Sequence, residues 1–311
     1  MTLTSGEYDE FINRDARLVH HIAPSDALST LAKVRFEEAV LTTANPHAVS
    51  SSHGTPSCWH SNAQSRMWGT PMLTVRPSST NIAAAVFVTN YSEIEGLDAL
   101  SFFAESGDLQ HRLVFPTSDL SQALRALVEV PAPTFTRNKT NVVNGDISNE
   151  LDDARRKWNA KGKSWHFDHI KYGGGTVRND VLAEIGKPYA RPVVVEVLRH
   201  WLAYLSIHGI GNSRIVPADD WLHIDSSDIQ AVRSDNGFAL IHSGLGLIAI
   251  DEANIGSCWE TRFIDGGITI SLIELYGNCG RCIAVFAPRD AGNFANWAEI
   301  TASLPSTALP R

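Results

Sequence analysis

The stretch KSWHFDHIKYGGG, residues 163–175, sets His166 and His169 three apart among Trp165, Phe167 and Tyr172 and ends on three glycines. On a helical turn that spacing puts both imidazoles on one side, as a two-histidine metal site requires, with Asp168 facing elsewhere. A protein zinc site takes about four ligands, and no further ligand is identified, so the pattern also reads as an exposed helix end. The aromatics argue the other way. Three large rings are costly to leave in water, which places the segment against a hydrophobic surface or a large flat ligand. Cys279 and Cys282, in CGRC, have the Cys-x-x-Cys spacing of zinc and thiol redox sites. They fall in a hairpin turn with no second ligand pair and no following helix, so they read as turn residues or as a labile thiol pair. Gly173, Gly174 and Gly175 lack the Gly-Lys-Ser/Thr of a phosphate loop and read as a flexible turn. HSGLG, 242–246, lacks the strand-to-helix setting of a nucleophile elbow, which argues against a serine hydrolase.

The elements that must hold these residues belong to a folded chain. With 311 residues, 43% apolar and 19% charged, the sequence has globular composition and length for two domains. A net charge of −8 without a Lys/Arg run excludes an electrostatic footprint for nucleic acid or an anionic membrane surface. The first 21 residues lack a basic segment followed by an apolar one, and no 18-residue apolar run occurs. A cytoplasmic protein without membrane insertion is expected, its four cysteines reduced. The Pro-, Thr- and Asn-rich stretch 131–150 reads as a linker between an N-terminal repeat, 1–130, and a C-terminal repeat, 151–311.

Both repeats close alike. Residues 97–127 and 268–300 each read strand, glycine turn (Gly107, Gly280), strand, Pro, and a helix capped by Ser118 or Asp290. A second pairing matches 36–54 with 226–244, each two strands around an Asn-containing turn. Internal similarity in matching order predicts an α+β fold: a tandem duplicated module with two large antiparallel sheets, each accompanied by helices. Between them, 149–209 reads as helical. NELDDARRKWNAKGK is a charged helix, RNDVLAEIG a short one, and PVVVEVLRHWLAYLSIHG a third, with Pro192 at its first position and Gly209 as its stop.

A neutral imidazole presented from an aromatic wall is also how haem iron is ligated axially. Trp259, Thr261, Arg262, Tyr276, Phe286, Arg289 and Trp297 follow one another through 254–305 in a pattern of Trp, Thr-Arg, hairpin strands with aromatics, a nearby Arg and a helix with a Trp. This resembles the C-terminal repeat of the bacterial HemS/ChuS/HmuS haem-trafficking and haem-degrading proteins. Residues 81–115 resemble their N-terminal sheet. The resemblance implies haem b held against the C-terminal sheet, with the axial histidine in the helical stretch between the repeats. There Trp158, the Trp-His-Phe of 165–167 and Arg178 are similar to the family pattern, which carries the ligand role to His166. An ungapped match places Trp165 at that position, so the assignment takes a one-residue shift, and His169 stands as the alternate ligand.

Haem propionates need cationic partners, and the guanidinium fork suits carboxylates. Arg178, Arg262 and Arg289 stand where the resemblance implies basic residues, with Trp259, Tyr276 and Phe286 as pocket walls. Ala83, Phe263 and Phe286 replace an Arg, a Lys and a Tyr of the family. Fewer distal polar groups alter O₂ activation, so haem binding is better supported than haem degradation with O₂ and an electron donor. A haem enzyme acting on a small organic substrate and a haem carrier are the competing classes. An oligomer is compatible with the sequence.

Overall fold

A computed structural model describes residues 19–34, 38–54, 58–61, 66–70, 72–77, 82–91, 96–133, 135, 158, 166, 175–219 and 221–307. The strands form two nine-stranded sheets, and the helices accompany them, so the fold is α+β. The chain divides into two compact units, Met1–Thr140 with Ala218–Ile224, and Asn141–Pro217 with Asp225–Arg311. No helix among the described residues is long and apolar enough to cross a membrane.

The N-terminal unit contains β1 (Val19–Ile22), α1 (Pro24–Lys33), β2 (Ala39–Asn45), β3 (Ala48–Gly54), β4 (Cys58–Ser61), β5 (Arg66–Gly69), β6 (Leu73–Pro77), β7 (Ala84–Val88), β8 (Leu97–Phe103), β9 (Leu109–Pro116) and α2 (Asp119–Arg125). Its strands run β1-β7-β8-β9-β2-β3, paired antiparallel. AVLTTAN of β2 alternates buried and half-buried positions, the period of a strand with one face on the core. AAVFV of β7 is buried at every position, as a strand covered on both faces must be. Phe87, Phe102, Phe103, Leu113 and Phe115 fill the core. Gly107, at φ +82°, turns β8 into β9. Ser118 precedes α2, and the Ser121 hydroxyl accepts from its N–H.

The C-terminal half continues with α3 (Gly175–Ile185), β10 (Ala190–Pro192), α4 (Leu198–Ile207), β11 (Asn212–Ala218), β12 (Trp221–Asp225), β13 (Ile229–Asp235), β14 (Phe238–Ser243), β15 (Gly246–Asp251), β16 (Ile255–Asp265), β17 (Ile268–Gly277), β18 (Cys282–Pro288) and α5 (Phe294–Ser303). Within the C-terminal unit the order β10-β16-β17-β18-β11 repeats the order β1-β7-β8-β9-β2. The Trp297 indole of α5 donates to the Ser271 carbonyl of β17 (2.9 Å), docking the closing helix on its sheet.

Two sequence readings need correction. β11 pairs with β18 as β2 pairs with β9, so the counterpart of β2 is 212–218 and not the 226–244 stretch. Residues 229–251 form a meander, β13-β14-β15, and a two-strand pattern around an Asn turn does not distinguish one hairpin from another. Pro192 lies in β10, opposite Trp259, and α4 begins at Leu198. β10 ends its sheet, where a missing N–H is tolerated. CGRC divides between an exposed Cys279 in the turn and a buried Cys282 on β18. The charged helix predicted around Trp158 and the glycine turn at 173–174 lie outside the described residues, apart from Trp158 itself.

Candidate functional site

His166 is fully buried. Its Nε2 lies 3.1 Å from the Trp158 carbonyl oxygen, a contact that requires the proton on Nε2. Its ring stacks on Phe263 of β16 (centroids 4.0 Å, 20°) and meets the Trp158 indole edge-on at 4.8 Å. Trp158 carries contact further, because the Arg178 guanidinium of α3 lies 5.2 Å from its ring. An aromatic bridge thus connects the imidazole to a buried ionic cluster. His169, Trp165, Phe167 and Tyr172 lie outside the described residues.

That cluster centres on Glu274 of β17, a residue the sequence reading missed. Arg178 donates to both its oxygens (2.8 and 2.6 Å), and Thr261 and Tyr276 donate to them at 2.6 Å each. Burial alone would push the Glu274 carboxyl up, but Arg178 and the hydroxyl donors hold it below the ordinary carboxylate value. Burial, with Glu274 beside them, pushes the Tyr276 hydroxyl and the Cys282 thiol well up, so both stay protonated at neutral pH. The signal for Glu274 was present: one charge in ITISLIELYG, an otherwise apolar strand, is stable only with a partner.

Glu260 of β16, also unforeseen, is the second buried carboxylate, held by Arg191, Arg262, Ser271 and Thr301. Arg262 donates to one Glu260 oxygen from Nε and Nη2 (3.0 and 2.7 Å), and its side chain is 38% exposed. Arg289 is elsewhere: it donates to Asp228, Asp290 and the Ser226 carbonyl (2.6, 2.9 and 3.1 Å). Trp259 donates to Asn179 (3.0 Å), and Phe286 lies in the core, edge-on to Trp201. The structure therefore joins His166 to Phe263 and Trp158, joins Trp158 to Arg178, and joins Arg178 to Tyr276 through Glu274, while Arg289 is hydrogen-bonded to Asp228 and Asp290 and Phe286 packs against Trp201. Among the described residues no cluster of three or more His, Cys, Asp or Glu side chains could hold a bare metal ion.

No family model matches the chain, and no curated protein matches it in sequence. Solved structures do match in fold. Apo- and holo-PhuS, a heme-binding protein from Pseudomonas aeruginosa, superpose with a TM-score of 0.78 at 15% identity, covering 93% of this chain and 88% of theirs. ChuS, an E. coli heme oxygenase, superposes at 0.75 with 18% identity, covering 96% and 92%. The fold is that of these proteins across nearly the whole chain.

Proposed function

We propose that the chain is a cytoplasmic haem-binding protein that holds haem b in its C-terminal unit, with His166 as axial ligand and His169 as the alternate. The observation that carries this is a buried imidazole on an aromatic bed, in a fold whose solved examples include a heme-binding protein and a heme oxygenase. The residues fit the group. Donation from one ring nitrogen to a backbone carbonyl fixes the tautomer and leaves the other nitrogen with its lone pair, the usual support of a metal-bound histidine. Phe263 and Trp158 supply apolar faces suited to a flat macrocycle. In the present packing the imidazole lies on Phe263, so coordination draws it off that ring.

Arg262 is the proposed propionate partner, since its side chain reaches solvent while Glu260 anchors it. Arg289 is a second, because its carboxylate partners Asp228 and Asp290 are themselves exposed and exchange at little cost. Arg178, neutralised by Glu274, supports Trp158. Trp259 is a proposed wall, and the fully buried Tyr276 and Phe286 serve by packing. Bound haem would supply iron for O₂ chemistry with an external electron donor.

Haemin titration tests the reading. A red-shifted Soret band that His166→Ala abolishes and His169→Ala preserves is expected. An unshifted band overturns haem binding, and the reverse pattern moves the ligand to His169. On the same sample, ascorbate and O₂ yielding a linear tetrapyrrole identify degradation, haem that survives turnover a fixed cofactor, and transfer to an acceptor without chemistry a carrier.

A further inference from the structure

A polar cavity of about 330 Å³ opens in the C-terminal unit between Asn179 and Asp180 of α3, Gly256 and Ser257 of β16, and the β17–β18 turn, Gly277–Gly280. Two irregularities make it. The β16–β17 ladder slips between Ile255 and Ser257, and the β17–β18 ladder slips between Leu275 and Tyr276. Bulges bend strands and re-aim side chains, and they are over-represented beside functional sites. Gly256 permits the close approach: a Cβ there would lie 2.8 Å from Asn278 Oδ1 and 3.0 Å from Asn278 backbone atoms. The first slip and this glycine border the cavity, and the second slip lies just before Gly277 on its wall.

The lining is chemically one-sided. Asn179 Oδ1 accepts from Ser257 Oγ (2.8 Å) and Trp259 Nε1 (3.0 Å), which fixes the carboxamide. Asp180 is exposed and has no hydrogen-bond or ion-pair partner among the described residues, and what desolvation it meets raises its carboxyl above the ordinary value. Among the described residues no cationic side chain lines the cavity. A carboxylate beside the Asn278 carboxamide matches a positive group with several N–H donors, whereas the Asn179 oxygen is already engaged by Ser257 and Trp259 and serves the wall. The volume, at the low end of the usual range for ligand pockets, suits a molecule of roughly ten heavy atoms.

We infer that this cavity binds a small aliphatic amine or guanidine, with Asp180 as counter-ion and Asn278 as the hydrogen-bonding flank. Asp180 and Asn278 take no part in the haem reading, which meets this site only through Trp259, the donor to Asn179. Exposed Cys279 on its wall is a built-in reporter.

The test uses the full chain with agmatine and putrescine as probes and 1,4-butanediol as the uncharged control, read by calorimetry and by the rate of Cys279 alkylation in peptide mass spectrometry. Agmatine or putrescine is expected to bind and slow Cys279 alkylation while butanediol does neither. Asp180→Asn, with an unchanged circular dichroism melt and haemin titration, should weaken binding about tenfold or more, the scale of one charge-assisted contact. Absence of amine binding at millimolar concentration, equal binding by Asp180→Asn, or equal protection by butanediol overturns the proposal.

Discussion

The two units run the same strand order, β1-β7-β8-β9-β2 and β10-β16-β17-β18-β11, yet bury different polar groups. In the N-terminal unit they are mostly neutral: Thr43, Ser50, Ser52, Ser101, Gln110, His111 and His223, with Asp98 as the exception. His111 stacks on Trp221 at 4.2 Å, its Nδ1 is 2.8 Å from Thr43 Oγ1, and Ser52 Oγ is 2.9 Å from His223 Nε2. In the C-terminal unit they include full ion pairs, Arg178 with Glu274, Arg191 with Glu260, and Arg214 with Asp225. Charge taken out of water is tolerated only with a partner in place. One sheet order therefore serves as a plain scaffold in one unit and holds fixed charges beside the candidate site in the other.

The largest effect expected from breaking this contrast is at Glu274. Glu274→Ala leaves Arg178 buried without its counter-charge and should destabilise the protein by about 3–5 kcal/mol, while the paired replacement Arg178→Met with Glu274→Leu recovers most of that loss. Urea denaturation with hydrogen exchange resolved by unit measures both, and loss confined to the C-terminal unit is expected. An unchanged midpoint for Glu274→Ala would show that the ion pair is not what distinguishes this unit.

Acid separates the units next. Burial, with His223 nearby, holds His111 well below its ordinary value. Its unfolded form therefore takes up protons first, and the N-terminal unit loses stability as pH falls below about 6.5. Glu274 and Asp225 are depressed. Their contribution is complete above the unfolded carboxylate range, about 4, and is lost as pH falls from there through their folded values. Exchange protection should fail first in the N-terminal unit on acidification. His111→Phe, which keeps a ring against Trp221, should shift that failure to lower pH.

The smallest change is at Gly211. A Cβ there would sit 2.9–3.0 Å from the Arg289 guanidinium, the movable end of a side chain. Gly211 is buried, and Arg289 must shift against Asp228, Asp290 and the Ser226 carbonyl, so Gly211→Ala should cost about 1 kcal/mol. If Arg289 serves a propionate, this variant should alter haemin affinity more than it alters the melting temperature.

The hairpins around Gly107 and Gly280 and the helices closing both repeats were legible because alternation and turn glycines act over a few positions, but Asp290 opens a 3-10 turn, Ala291–Asn293, and makes no side-chain cap to α5. Strand β10 was not. Pro192 is equally at home at a helix start and on a sheet edge, and only its pairing with Trp259 separates the two. Of the candidate site, His166 was visible through its aromatic neighbours and Arg178 through the family resemblance. Their partners were not, because Glu274 is 96 residues from Arg178 in the chain and Phe263 is 97 from His166.

By itself the sequence determined what short-range physics determines: the α+β class, the repeated hairpin-and-helix endings, a net charge of −8 without a Lys/Arg run, and a histidine set among rings. Only the tertiary structure decided which charges neutralise which. It showed Arg178 and Tyr276 as donors to Glu274, laid His166 on Phe263, and placed the β16 slip, Gly256 and Asp180 around one cavity. A buried charge or imidazole takes its character from groups within a few ångströms, and those groups come together only when distant strands pair.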